Sequence, residues 1–274
     1  MDLIKFDGDT PPLARTEGRA IFGADASGYH AGRLGYPDAL YDIVVRDAPD
    51  VLEIGSGTGL VTEALLARDV HRVVAVEPSV ELVAYLRTRL PDQRLSFITG
   101  PFPNVVIAGR FDLAVCAAAF HWLDPVPALA KVRALLVPGG RWAMWWNSYR
   151  NHGIGDTLAD RITPLLAGIA LPPSDTLHRH YSLDVDRQVD GLAKNGFIDI
   201  EHHLFRRERV LTTAEVRALY ASYSYVRLLP PTGRDELLDR ITALVEDEFG
   251  GQALNVTLTA LYICRSATGV TSAS

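Results

Sequence analysis

The stretch Val51-Leu-Glu-Ile-Gly-Ser-Gly-Thr-Gly-Leu60 constrains this chain more than any other. Val51, Leu52 and Ile54 are strand formers, and Pro49 and Asp50 punctuate before them. Gly55, Gly57 and Gly59 follow at a spacing of two. From Leu60 the apolar spacing turns helical, with Leu60, Ala64, Leu65 and Ala67 able to share a face. Strand, glycine turn, helix is the start of an α/β unit. Glycines at such a turn allow positive φ and close approach of a ligand to the backbone. The N–H groups and dipole of the following helix suit an anionic group such as a carboxylate or a phosphate.

The dinucleotide fingerprint G-x-G-x-x-G uses a turn of this kind. Here the register is Gly55-x-Gly57-x-Gly59, and Leu60 stands where the dinucleotide pattern has its last glycine. Glu53 lies two residues before the first glycine. This E-x-G-x-G-x-G form resembles the first motif of the S-adenosylmethionine-dependent methyltransferases with a Rossmann-like fold.

The rest of the chain extends the α/β pattern. Strands are expected at 51–54, 72–76, 94–98, 111–116 and 140–147, and helices at 38–46, 58–68, 79–90 and 125–136. Strands alternating with helices indicate a doubly wound, mostly parallel sheet. Pro138-Gly139-Gly140 reads as the turn into the fifth strand. Residues 1–12 read as loose, and 13–33 as containing helical material. After Asn147 the pattern changes: 148–193 reads as mostly helical, broken by Pro164 and by Leu171-Pro-Pro-Ser. A long strand over 198–211, helices at 212–225 and 233–249, a last strand at 255–264 and a frayed tail complete the chain.

Bulk properties exclude several classes. With 274 residues, 48% apolar and 22% charged, the chain fits one large α/β domain or a domain with a cap. A net charge of −6 leaves no basic footprint for nucleic acid. Cys116 and Cys264 are too few for a disulfide scaffold and read as buried hydrophobes. No apolar run is long enough to span a membrane. The acidic start Met1-Asp-Leu-Ile-Lys-Phe-Asp has no apolar signal region, so a cytoplasmic protein is expected.

Glu77 ends the second strand, 22 positions after Gly55, where an acid accepts hydrogen bonds from ribose hydroxyls. The alternative is a carboxylate capping the helix that starts near Ser79. Pro78 follows it. The fourth strand leaves through Ala117, Ala118 and Ala119, small residues that leave room at its carboxyl end, where ligands of open α/β sheets bind. Phe120, His121 and Trp122 then face the same crevice as Gly55–Gly59. His121 either takes a proton or orients a substrate, or it packs and bonds a backbone carbonyl.

On these residues the chain resembles the type 11 group of S-adenosylmethionine-dependent methyltransferases, and looks closest to its small-molecule branch of trans-aconitate methyltransferase-like proteins. Phe22-Gly and Tyr29-x-x-x-Arg33-x-x-Tyr36-Pro37 match that branch's segment before the core, with Leu34 in place of a proline. The glycine turn with Glu53 and Glu77 matches the cofactor motifs. Ala119-Phe-His-Trp122 and Val137-Pro-Gly-Gly140 match the motif after the fourth strand. The resemblance is close over residues 20–147 and looser beyond.

The resemblance implies a seven-stranded sheet whose last strand is antiparallel and inserts between the fifth and sixth, with a core of about 38–147 and 196–265 in a single domain. Residues 13–37, 148–195 and 212–250 would form a helical cap or lid. It implies S-adenosylmethionine as cofactor, contacted by Tyr29, Arg33, Glu53, Gly55, Ser56, Gly57, Thr58, Gly59, Glu77, Pro78, Ala117 and Ala118. Tyr29 and Arg33 would close over the methionine end, arginine being suited to a carboxylate. Thr99-Gly-Pro-Phe-Pro103 lacks the acid that the family often places near adenine, so Phe102 is the candidate there. His121 is the candidate catalytic residue. Tyr29, His121, Trp122, Trp146, Tyr149 and Tyr223 are candidates for a small-molecule substrate; the alternative for the aromatic residues is ordinary packing. Gly23, Gly28, Gly32 and Gly35 suggest a segment without rigid structure that orders on the cofactor.

No metal is expected. His178 and His180 lie in a polar connection, and His202 and His203, adjacent on a strand, point to opposite faces. The reading is a methyltransferase acting on an oxygen, nitrogen or carbon nucleophile of a small molecule. An NAD(P)-linked oxidoreductase and a non-catalytic S-adenosylmethionine-binding protein are the alternatives.

Overall fold

The structure, a computed structural model, describes residues 26–149, 157–169 and 180–267. The expectations for residues 1–25, including Phe22 and Gly23, for Leu171-Pro-Pro-Ser, for His178 and for the tail from 268 lie outside the described residues. In chain order the elements are α1 (Ala26–Gly32), α2 (Asp38–Val44), β1 (Asp50–Ile54), α3 (Leu60–Leu66), β2 (Arg72–Glu77), α4 (Val80–Arg89), β3 (Leu95–Thr99) and β4 (Phe111–Ala117). Then come α5 (Pro125–Leu135), β5 (Leu136–Ser148), α6 (Thr157–Ile162), α7 (Val185–Lys194), β6 (Phe197–Thr212), α8 (Thr213–Ala221), α9 (Ser224–Arg227), α10 (Pro231–Phe249) and β7 (Gln252–Ser266).

The strands form one seven-stranded sheet in the order β3-β2-β1-β4-β5-β7-β6. The pairs β1–β2, β1–β4, β2–β3 and β4–β5 are parallel. The last strands run antiparallel, and β7 inserts between β5 and β6, as the resemblance implied. β1 and β2 are almost wholly buried, as inner parallel strands covered on both faces require.

Local chemistry sets several boundaries. Gly59 takes φ 86, a left-handed conformation that no helix continues, so α3 starts at Leu60 and not at 58. The Ser79 hydroxyl accepts the Leu82 N–H at 3.2 Å and starts α4. A capping box between Thr212 and Glu215 starts α8. The expected turn at Pro138-Gly139-Gly140 falls inside β5 as a break in register: Phe111 pairs with Leu136, but Leu113 pairs with Arg141. The helix expected over 212–225 breaks into α8 and α9 at Ser222 and Tyr223.

The chain divides into two compact units. The sheet unit comprises 35–146, 184–205 and 259–267 of the described residues. Its core gathers Leu40, Tyr41, Val51, Leu65, Leu113, Trp145 and Leu261. Cys116 and Cys264 are free, buried thiols here. His202 packs on Tyr262 at 4.8 Å while His203 stacks on Phe205, so the two imidazoles do take opposite faces of β6.

The helical unit comprises 26–34, 147–149, 157–169, 180–183 and 206–258 of the described residues. Its core gathers Leu158, Ile162, Val216, Leu219, Tyr220, Ile241 and Val245. Within the glycine-rich entry segment, residues 26–32 form α1, which packs on α8. Gly32 is the reason. A Cβ there would lie 2.3 Å from the Ala218 carbonyl oxygen, so only glycine lets the two backbones approach.

Gly32→Ala should therefore lower stability by about 1–3 kcal/mol, the range for overpacking. Gly35→Ala, where a Cβ meets nothing within 4 Å, should be nearly neutral. Urea denaturation of the two variants checks this, and equal stabilities would remove the close contact from the account.

Candidate active site

The turn after β1 is pinned to β2 from the start. The Gly55 and Ser56 N–H groups both donate to the Val76 carbonyl, at 2.8 and 3.3 Å. Gly55, Gly57 and Gly59 have φ of 76, 55 and 86, which a side chain makes costly. They serve different ends. A Cβ on Gly55 would meet the Ala119 Cβ at 2.6 Å, and one on Gly59 would meet Leu86 at 2.1 Å. One on Gly57 meets nothing within 4 Å, so Gly57 is the glycine that faces open space. Behind the turn Arg89 donates to the Thr58 and Gly59 carbonyls and pairs with Glu63 at 2.8 Å.

Glu77 closes the turn from the tip of β2. One carboxylate oxygen accepts the Gly57 N–H at 2.9 Å, and the other accepts the Ser79 N–H at 3.0 Å. Each oxygen keeps a lone pair for a further donor. The side chain is 6% exposed, and burial pushes its pKa up against these two bonds. Pro78 beside it is exposed. With Gly59 N–H donating to the Ser56 carbonyl, the amides of Gly55, Ser56, Gly57 and Gly59 all have partners inside the protein. Beside the helix N-terminus that follows, the turn thus presents a carboxylate as an acceptor.

Glu53 lies inside β1, 2% exposed, and accepts the Thr62 hydroxyl at 2.6 Å. Burial pushes its pKa up to about 7, and the Glu77 charge adds to the rise. The Ser56 hydroxyl is buried and has no hydrogen-bond partner.

The exit of β4 stands against this turn through the Gly55–Ala119 approach. Ala118 takes φ 51, uncommon for a residue with a Cβ, and donates its N–H to the Trp145 carbonyl at 2.8 Å. Ala117, Ala118 and Ala119 are half-buried. A single 3-10 turn over Phe120–Trp122 follows, anchored by Phe120 against Trp142. His121 lies 4.7 Å from the Trp122 ring. Its Nδ1 accepts the indole N–H of Trp146 at 3.2 Å. Trp146 itself is 1% exposed. Phe102 is buried, with the Lys131 ammonium 4.9 Å from its ring. That ammonium donates to the Phe102 and Val105 carbonyls, both at 2.6 Å, and fixes the loop after β3.

Within the helical unit, Arg33 lies over the rings of Tyr29 and Tyr223, at 5.0 and 5.1 Å, and donates to the Ser222 carbonyl at 3.2 Å. Tyr223 also packs on Tyr149, Tyr220 and Tyr225. The Tyr149 hydroxyl accepts the Asn147 amide at 3.1 Å. The Tyr223 hydroxyl is buried without a partner, and desolvation keeps it a neutral phenol.

The sheet unit thus gathers Glu53, Gly55–Gly59, Glu77, Ala117, Ala118, His121, Trp122 and Trp146, and the helical unit gathers Tyr29, Arg33, Tyr149 and Tyr223. Sequence reasoning passed over Thr62, Lys131 and the Trp146–His121 bond. Thr62 carried a faint signal: it is the third residue of α3, on the face turned toward β1.

The seven-strand order and the glycine turn define a Rossmann-like fold that several enzyme classes share. Residues 52–144 match the family model described as a methyltransferase domain. The chain is similar to an uncharacterised methyltransferase of Mycobacterium bovis, 29% identical over 231 residues, 82% of this chain and 85% of that one. An uncharacterised methyltransferase-like protein of Schizosaccharomyces pombe is 25% identical over 82% of this chain and 86% of its own. Among solved structures, Haemonchus contortus phosphoethanolamine N-methyltransferase 2, in complex with phosphomonomethylethanolamine and S-adenosylhomocysteine, shares the fold with a TM-score of 0.53 at 13% identity, covering 91% of this chain and 60% of that one. The [4+2]-cyclase SpnF shares it with a TM-score of 0.54 at 15% identity, over 95% and 98%. The protein is an S-adenosylmethionine-dependent methyltransferase. Its turn fits that cofactor. Glu77 keeps acceptor capacity for two ribose hydroxyls, Gly57 leaves room for close approach, and Ser56 holds a buried hydroxyl in want of a partner.

Two substitutions test this site. Glu53 binds its proton more tightly folded, at about 7, than at its ordinary 4.5, so stability falls as pH rises through that window. The loss is about 3 kcal/mol at 1.36 kcal/mol per unit. Glu53→Gln keeps the Thr62 bond and removes the loss, so its stability relative to the natural chain should rise between about pH 4.5 and 7; denaturation at several pH values measures it. Tyr223→Phe removes a hydroxyl that pays a desolvation penalty unbonded, so thermal unfolding should find it no less stable than the natural protein.

Proposed function

We propose that this methyltransferase acts on a small molecule, moving the methyl group to an oxygen, nitrogen or carbon nucleophile of a carboxylic acid or a secondary metabolite. The trans-aconitate methyltransferase-like branch that the sequence resembles makes carboxylic acids the first acceptors to try. The observation that carries this reading is the approach of Ala119 to Gly55, which brings the β4 exit, with His121 two residues further along, against the cofactor turn. When bound, S-adenosylmethionine supplies a methyl group on a sulfonium, already a good leaving group. The chain then has to align the partners and exclude water.

Glu77 takes the ribose hydroxyls, Gly57 and Ser56 border the nucleoside, and Ala117 and Ala118 give it room at the end of β4. Phe102 acts through the packing of its loop. Tyr29 and Arg33 take the methionine carboxylate. His121 is the candidate catalytic residue. Trp122, Trp146, Tyr149 and Tyr223, with Tyr29, are the aromatic candidates for the acceptor. The net charge of −6 supports a small molecule over nucleic acid. Among the described residues no helix is long and apolar enough to cross a membrane. Two buried free thiols support a reducing, cytoplasmic setting.

Calorimetry with S-adenosylmethionine and with NAD, followed by turnover of methyl-labelled cofactor over an acceptor set led by carboxylic acids, tests the reading. Gly57→Ala should fold yet lose S-adenosylmethionine binding. Glu77→Ala should weaken it by about 1.5–3 kcal/mol, the range for hydrogen bonds to a charged group. A 2′,3′-dideoxy analogue should not distinguish Glu77→Ala from the natural protein; if it does, the ribose assignment is wrong.

A further inference from the structure

We propose that Trp146 is a positioning residue that holds His121 as the neutral tautomer with its proton on Nε2. His121 then serves the acceptor as a hydrogen-bond donor and not as a base. The inference deepens the proposed function and rests on its placing of His121 beside the acceptor. An indole N–H is a donor only. The ring nitrogen it meets at 3.2 Å must therefore present a lone pair, and the one proton of a neutral imidazole must sit on the other nitrogen. Trp146 is fixed: it is 1% exposed and continues the strand that pairs with β4 through Ala117 and Trp145. His121 is fixed from the other side by the 3-10 turn and by Trp122. Trp146 is the buried partner of the pair, and His121 is half-buried.

The chemical consequence concerns the acceptor. A nitrogen carrying a proton cannot take one, so a hydroxyl or a carbon acid finds no base in His121. An acceptor whose nucleophilic atom is already free of a proton, such as a carboxylate oxygen, needs none. Its lone pair forms the new bond to the methyl carbon, the C–S electron pair stays with sulfur, and no proton has to be placed. An Nε2–H donor beside such an oxygen can fix its direction of attack.

The test is spectroscopic and needs no acceptor. Protein carrying 15N-labelled histidine is compared with Trp146→Phe and with His121→Asn, which assigns the signal, both free and saturated with S-adenosylhomocysteine. In the natural protein, Nδ1 of His121 should show the shift of an unprotonated nitrogen and Nε2 that of a protonated one, in both states. Trp146→Phe should fold, bind S-adenosylhomocysteine and lose this single-tautomer signature. A proton on Nδ1, a doubly protonated ring, or an unchanged signature in Trp146→Phe overturns the proposal. Failure of S-adenosylhomocysteine to bind would instead count against the functional reading, which keeps the two apart.

Discussion

The geometry of the cofactor turn depends on one carboxylate. Glu77 stands at the tip of β2 and accepts one N–H from the turn and one from the start of α4. That single side chain, at the end of β2, joins the turn after β1 to the backbone that leaves β2. Burial opposes its charge, and the two N–H bonds oppose the effect of burial. The carboxylate is thus held in place before any ligand arrives. Its anchoring also explains the ligand chemistry. The amides of Gly55, Ser56, Gly57 and Gly59 are taken by Val76, Ser56 and Glu77. The turn offers acceptor oxygens, which suit sugar hydroxyls.

A second carboxylate near the first needs an explanation. Glu53 is buried more deeply, with the Thr62 hydroxyl as its bonding partner and the Glu77 charge acting against its ionisation. With its pKa near 7, Glu53 carries its proton much of the time at neutral pH. A neutral Glu53 spares Glu77 a like charge in low dielectric, where repulsion is strong. Burial raises the pKa of both acids, and a proton on Glu53 removes one of the two like charges.

The fold was legible in the sequence because its signals are local. Val51–Ile54, Val73–Val76 and the glycine turn between β1 and α3 announce a buried parallel strand and its exit, and the βα alternation does the rest. The place of β7 was not local; it came from the resemblance, since nothing in Asn255–Cys264 names its neighbours. Pro138-Gly139-Gly140 announced a break in the chain, and only the pairing of β4 with β5 places it inside the strand. Around the candidate site, residue types were readable but partners were not. Glu53 and Thr62 are nine positions apart, His121 and Trp146 twenty-five, and no periodicity links such pairs. The close approach of Gly32 to Ala218 was hidden for the same reason, since the two lie far apart in the chain.

The contact between Gly55 and Ala119 joins the two halves of the chemistry. Gly55 has no room for a side chain because Ala119 is there, and Ala119 is there because Ala118 turns the backbone through a left-handed conformation. That strain is of a kind that persists only where surrounding structure over-determines it. The Ala118 bond to Trp145 supplies part of the determination, and Trp145, wholly buried in the sheet core, supplies the rest. His121 follows two residues later, so its position is set from the cofactor turn and not independently of it. Methyl transfer from a sulfonium asks mainly for alignment, and a misplacement of about 1 Å can cost a hundredfold. In the proposed reading His121 is the acceptor-side residue, and this one close contact then sets its spacing from the cofactor turn.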